Sequence, residues 1–258
     1  MVNIKGSSIM NIFLLGLIGL VIGTFVILFG GGGAAIYLAI LTGLFGLNAA
    51  TASSTSLVTA LPSLIIGAIS YYHQRQINIR VGNQMLMTAI PAVIIGALVS
   101  KYIPAKIYKW LIGIVLVVLG INMLFKKKAQ TAETVKKTQF ARMEAGIYGI
   151  LGGLMVGVAG MSGGAVIIGG LFLLGLQDFQ ATATSTYVLV FMTITGAIFH
   201  IADGRVDWTA GLPLMIGAIL GAIIAPRLAQ ILAQTKITRY MKPTIGILLI
   251  LLGAKSLL

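Results

Sequence analysis

IMNIFLLGLIGLVIGTFVILFGGGG, residues 9–33, decides the fold. From Ile9 to Phe29 it runs 21 residues without a charge. About 20 apolar residues are what a helix needs to cross a hydrocarbon core of about 30 Å. The run then breaks on four consecutive glycines, Gly30 to Gly33. It is too long for the core of a secretory signal and ends on glycines, not on a small-residue cleavage site. It therefore reads as a retained first membrane helix.

Similar runs recur along the whole chain. Hydrophobic residues make up 58% of the 258 positions and charged residues 9%, with a mean hydropathy of +1.04. Soluble proteins carry about 25% charged residues, so most of this chain cannot face water. Strict alternation of apolar and polar residues, the mark of a membrane barrel, is absent. The fold class expected is all-α, a polytopic membrane helical bundle with no room for a soluble domain. Cysteine is absent, which removes disulfides, thiol relays and cysteine metal sites. The net charge of +13 sits at helix ends and in loops. Topology and anionic lipid account for it there, so no nucleic-acid partner is expected.

The chain also resembles itself. A shift of 129 places Gly46-Leu47 on Gly175-Leu176, Ala52 on Ala181 and Thr55-Ser56 on Thr184-Ser185. It places Gly67-Ala68 on Gly196-Ala197 and Gly82 on Gly211, while small slips pair Gly32-Gly33 with Gly163-Gly164 and Gly96-Ala97 with Gly221-Ala222. Single matches of small residues are weak, but their conserved order implies a duplication. Residues 1–125 form a first membrane repeat, 126–141 a basic cytoplasmic linker and 142–258 a second repeat. Each half divides into five segments. These are 9–29, 33–45, 50–72, 81–100 and 105–125, then 142–159, 164–175, 180–201, 208–232 and 236–257. The second segment of each half is too short to span. If all five cross, the halves are inverted and 12 of the 18 basic residues share the linker's side; re-entrant short segments give 11 to 7. The positive-inside rule favours the inverted arrangement and a cytoplasmic linker in the inner (plasma) membrane.

Short, glycine-interrupted segments at matching places in two halves point to a transporter's binding site. The first constellation is Gly31, Gly32 and Gly33 with Ser162, Gly163 and Gly164. A helix starting there offers unpaired N–H groups and a positive dipole end to an anion. The plainer reading is tight helix packing through small residues. The second constellation is Asn48 with Ser53, Ser54, Thr55 and Ser56, matched by Gln177 with Thr182, Thr184, Ser185 and Tyr187. Hydroxyls can donate to oxyanion oxygens without fixed charge, or simply bond back to the preceding helical turn. Together these residues are the expected substrate-binding set.

A glycine-rich turn after the first helix, then Ala52-Ser53-Ser54-Thr55-Ser56, repeated as Gly160–Gly164 and Ala181-Thr182-Ala183-Thr184-Ser185, resembles the TauE/SafE family of sulfite and sulfonate exporters. The resemblance covers essentially the whole chain. It implies a secondary transporter, an exporter of small sulfur-containing anions such as sulfite or organosulfonates. The residues alone point only to a transporter-like bundle.

Ionisable residues inside the membrane are scarce and therefore informative. Asp178 is a candidate proton carrier or a helix cap, and the cap is favoured. Arg205 with Asp203 and Asp207 reads as a surface ion cluster. His73 and His200 sit at or beyond segment ends, and Arg227 reads as snorkelling to the interface. Trp110, Tyr108, Tyr240 and Trp208 read as interfacial belt residues. No nucleophile with a base and no HExxH pattern is present, so no catalytic residue, metal or cofactor is expected. The partners expected are a small anionic substrate and the lipid bilayer, with a homo-oligomer left open. A passive anion channel and a non-transporting scaffold are the rival readings.

Overall fold

The same apolar runs become helices wherever the backbone has no other way to satisfy its N–H and C=O groups in lipid. A computed structural model describes residues 9–29, 34–43, 45–47, 49–99, 139–160, 162–202 and 206–233, with isolated positions 110, 114, 117, 121, 124, 247, 250, 251 and 254. Eight helices lie among them. They are α1 (Ile9–Phe29), α2 (Ala34–Gly43), α3 (Ala49–His73), α4 (Ile79–Val99), α5 (Gln139–Ala159), α6 (Gly164–Leu173), α7 (Asp178–Ala202) and α8 (Trp208–Ala233). No strand occurs among the described residues.

Boundaries recur at a fixed interval. α3 and α7 have 25 residues each, and both ends of the first shift by 129 onto those of the second. α2 and α6 have 10 residues each, so each rises only about 15 Å. The shortness expected of the second segments is therefore observed. α5 begins at Gln139, three residues inside the stretch read as linker. The rest of that linker and most of 105–125 and 236–257 lie outside the described residues.

Four helices contain spans long and apolar enough to cross a membrane: Thr51–His73, Ile79–Val99, Phe179–Phe199 and Trp208–Leu228. α1 adds the apolar stretch Ile12–Leu28. Large apolar side chains such as Phe13, Met87, Ile198 and Ile216 stand exposed on the outer helix faces. In a soluble protein such a surface would be a liability; here it is the face that lipid covers.

α3 and α7 are the inner helices. Their spans are 67% buried, against 44% for those of α4 and α8. The Tyr71 ring, near the end of α3, meets that of Phe179 at the head of α7 at 5.5 Å, edge to face. Leu57, near the start of α3, lies beside Gly196 near the end of α7. The two inner helices therefore run antiparallel.

The largest helix contacts are α1 on α8 and α4 on α5. Both are made by small residues that let backbones meet, as expected where lipid gives helices no hydrophobic drive to associate. Gly19 and Gly23 of α1 lie against the backbone of Leu214 and Ala218, and Gly217 and Gly221 of α8 against Gly16, Leu20 and Thr24. Gly149, Gly153 and Gly157 of α5 likewise lie against Met85, Ala89 and Val93 of α4. α3 packs on α8 and α7, α7 on α3 and α4, and the short helices α2 and α6 pack on α3 and α7 respectively. Exchanging α1–α4 with α5–α8 turns each of these pairs into another of the set, except α3 on α7, which it turns into itself.

Candidate functional site

The short helix α6 starts where the chain turns at Gly160, whose φ of 57° suits glycine. Ser162 is buried, and its Oγ accepts the Gly164 N–H at 3.2 Å. The Gly163 carbonyl accepts from Val166 and Ile167, both at 3.1 Å. A Cβ built on Gly163 would lie 2.9 Å from Gly152 Cα, inside the backbone of α5. The glycine at 163 is therefore required by packing, whatever else binds near it. The matching cluster, with Gly31, Gly32 and Gly33, lies outside the described residues.

The hydroxyl rows fall on the two inner helices. Ser53, Ser54, Thr55 and Ser56 of α3 and Thr182, Thr184, Ser185 and Thr186 of α7 are all buried. Some hydroxyls bond back along their own helix, as the plainer reading expects: Ser56 to the Ser53 carbonyl at 2.8 Å and Thr186 to the Thr182 carbonyl at 2.9 Å. Ser53, Ser54, Thr182 and Ser185 are engaged as well.

Thr55 and Thr184 do something different. Thr184 Oγ1 accepts the backbone N–H of Asn78 at 2.9 Å, and Thr55 Oγ1 accepts that of Asp207 at 2.9 Å. Asn78 and Asp207 are themselves 129 apart, like the two threonines. Each residue caps the helix that follows it. Asn78 Oδ1 accepts the Val81 N–H at 3.2 Å; Asp207 Oδ1 accepts those of Thr209 at 3.0 Å and Ala210 at 3.2 Å. Each threonine thus ties an inner helix to the head of an outer helix from the other half of the chain. Because α3 and α7 are antiparallel, the two ties sit at opposite ends of the inner pair. A hydroxyl that accepts one bond keeps a proton to donate.

Thr59, one turn beyond Thr55, was not part of the expected set. Its Oγ1 is buried with no hydrogen-bond partner, and a Cβ on Gly211 would come within 3.6 Å of it. An unpaired buried hydroxyl costs about 1–3 kcal/mol, which a polar ligand would recover. The signal was available, since Thr59 follows Thr55 at helical spacing. The capping pair was legible too, as an Asn and an Asp at matching places just before an apolar run.

Other expected residues stand apart. The Tyr187 hydroxyl donates to Asn83 Oδ1 at 2.8 Å, and its ring lies where a Cβ on Gly82 would go, at 2.9 Å. That makes it a packing residue between α7 and α4. Gln177 is exposed in the turn before α7. Asn48 lies outside the described residues. Asp178 is the first residue of α7, one place past Gln177, whose carbonyl accepts the Ala181 N–H at 2.7 Å. Asp207 is a helix cap; Asp203 and Arg205, grouped with it in the sequence as an ion cluster, lie outside the described residues. Arg227 is exposed, as snorkelling expects. Among the described residues no three His, Asp or Glu side chains gather in metal-binding geometry. What the inner pair offers is hydrogen bonding.

A lipid-facing helical bundle with two short helices set against a buried, hydroxyl-rich inner pair is the architecture of a membrane transporter. The "Sulfite exporter TauE/SafE" family profile matches residues 15–256, and the chain belongs to that family. It is similar to "Probable membrane transporter protein YdhB" of Bacillus subtilis, with 27% identity over 91% of this chain and 96% of that protein. It is similar also to YunE of the same organism, again named a probable membrane transporter, at 25% identity over 95% and 97% of the two chains. The Escherichia coli protein YfcA, similarly named, is 24% identical over 88% of this chain and 82% of its own.

Proposed function

We propose that the chain is a secondary transporter of the inner membrane that exports small sulfur-containing anions, sulfite or organosulfonates, by alternating access. The observation that carries the reading is the two buried hydroxyl rows of α3 and α7, one toward each end of the antiparallel inner pair and each with a threonine tie to the other half. The antiparallel inner pair and the exchange of helix contacts support inverted halves. A two-fold axis that swaps two antiparallel helices lies across them, in the membrane plane. The family name and the donor chemistry support the substrate class. Hydroxyls and backbone N–H groups suit a compact ion with several acceptor oxygens, and a site without fixed charge releases what it binds. In this reading the ties are the two gates: one yields when the site opens to one side, the other when it opens to the opposite side.

The test is flux. Purified protein in liposomes loaded with labelled sulfite, and separately with an organosulfonate, should release label in a saturable manner. Flux proportional to concentration without saturation would mean a channel, and absence of flux for every sulfur anion would end the substrate assignment. Ser54→Ala and Ser185→Ala should each weaken anion affinity about fivefold, the equivalent of about 1 kcal/mol for one hydrogen bond. Thr59→Val should weaken it similarly while leaving thermal stability unchanged or raised, because it removes an unpaired buried oxygen. Wild-type affinity in all three would move the site away from the inner pair.

A further inference from the structure

The α3–α4 corner carries a side chain where the backbone asks for none. α3 ends in a Schellman turn: Gln76 N–H donates to the Tyr71 carbonyl at 3.1 Å and Arg75 N–H to that of Tyr72 at 2.9 Å. The residue at the turn must be left-handed, and Arg75 has φ 55°, the only positive φ at a non-glycine among the described residues. Glycine is the usual choice there. Glycine is also what the chain uses at its other left-handed positions, Gly46, Gly160 and Gly175. The sequence position 129 further on is Gly204. An arginine held at a conformational cost is a reason to ask what its side chain does.

Arg75 lines a cleft of about 480 Å³ with Tyr72, His73, Ile77 and Ile79. The volume falls in the range of small-ligand sites. The Tyr72 and His73 rings stand edge to face at 6.3 Å. Arg80 follows in the first turn of α4, whose positive dipole end faces the same corner. Residues 1–132 contain no Asp or Glu; the acidic position that the other half brings toward this corner is Asp178, next in sequence to Phe179, whose ring meets that of Tyr71. Beside the cleft, Ile69, Tyr72 and Ile79 are exposed on the helix faces that lipid covers. Cationic head, aromatic rim and apolar flank lie in the order of a phospholipid's phosphate, glycerol and acyl chains.

We propose that this corner is a binding site for an anionic phospholipid, with Arg75 holding the phosphate and the acyl chains lying along Ile69 and Ile79. On the charge count the corner shares the linker's side, where the cytoplasmic leaflet is rich in anionic lipid. The site adjoins one end of the inner pair, where Thr184 accepts the N–H of Asn78 between Ile77 and Ile79, but it does not depend on what the protein transports.

The test uses delipidated full-length protein in detergent, titrated with phosphatidylglycerol or with phosphatidylcholine of the same acyl chains. Lipid retained is read by native mass spectrometry, and protection by melting temperature. Wild type should bind phosphatidylglycerol about fivefold or more tightly over phosphatidylcholine, the worth of one basic residue at a membrane surface. Arg75→Gly should fold at least as well, because glycine suits the turn, and should lose that preference; Arg75→Lys should keep part of it. An Arg75→Gly protein that still prefers phosphatidylglycerol as wild type does would overturn the proposal. Equal binding of the two lipids by wild type would overturn it too. Equal protection of wild type by inorganic phosphate alone would make the corner a free-oxyanion site and remove the lipid.

Discussion

Gly163→Val is expected to yield almost no folded protein, so that loss of transport follows loss of the fold. The glycine at the head of α6 sits against Gly152 in the middle of α5, glycine on glycine, with no side chain between the backbones. A Cβ at 163 would lie 2.8 Å from the Gly152 carbonyl carbon and 2.9 Å from its Cα. Backbone of a packed helix cannot step aside as a side chain can, so α6 would have to leave α5. The cost should exceed about 3 kcal/mol, the upper end of ordinary overpacking. In a marginally stable protein that is a large fraction of the whole folding free energy, and a displaced α6 would lose its remaining contacts as well. The partner position gives the control. A Cβ on Gly152 would meet Ile167 Cδ1 at 2.8 Å, the far end of a flexible side chain. Gly152→Ala should therefore reduce the yield modestly where Gly163→Ala reduces it severely. Size-exclusion recovery of the three variants at equal expression decides the matter. Monodisperse Gly163→Val protein at wild-type yield would show that α6 is not held where the structure puts it.

That outcome marks where sequence reasoning succeeded and where it stopped. The apolar runs, the glycine breaks and the recurrence at 129 residues are written in composition and period, and they placed every described helix but α5 to within two residues at its N-terminal end. The buried hydroxyls of α3 and α7 were legible for the same reason: a polar cluster opening a membrane helix has to face protein. What a string of residues does not carry is the partner. Gly163 is the same letter whether an anion or Gly152 lies against it. Thr55 and Thr184 looked like ligand donors because the N–H groups they accept from belong to the other half of the chain, 152 and 106 positions away. Tyr187 reached Asn83 across 104 positions. Pairings at that range depend on which helices are neighbours, and composition does not say.

Cutting the two threonine ties one at a time should open the protein on one side at a time. Thr55→Val keeps the shape of the side chain and removes the oxygen that accepts the Asp207 N–H; Thr184→Val does the same to Asn78. Each leaves a helix-head N–H without its partner, a penalty of about 1–3 kcal/mol. That is a factor of about 5 to 150 in an equilibrium between two conformations. If the ties are gates, this energy falls on the closed end only, and the protein shifts toward the state open at that end. Transport should drop at least tenfold in either variant, since a transporter biased to one side completes few cycles. The absence of native cysteine makes the bias readable with single thiols. Ser53→Cys reports on the Thr55 end and Thr182→Cys on the Thr184 end; both positions are buried in this conformation, and they are related by the same shift of 129. Thr55→Val should raise maleimide labelling at 53 and leave 182 protected, while Thr184→Val should do the reverse. Equal rises at both positions would mean that the ties hold the bundle together without gating it. Unchanged labelling with full transport would mean that each is only a helix cap, reinforced from across the interface.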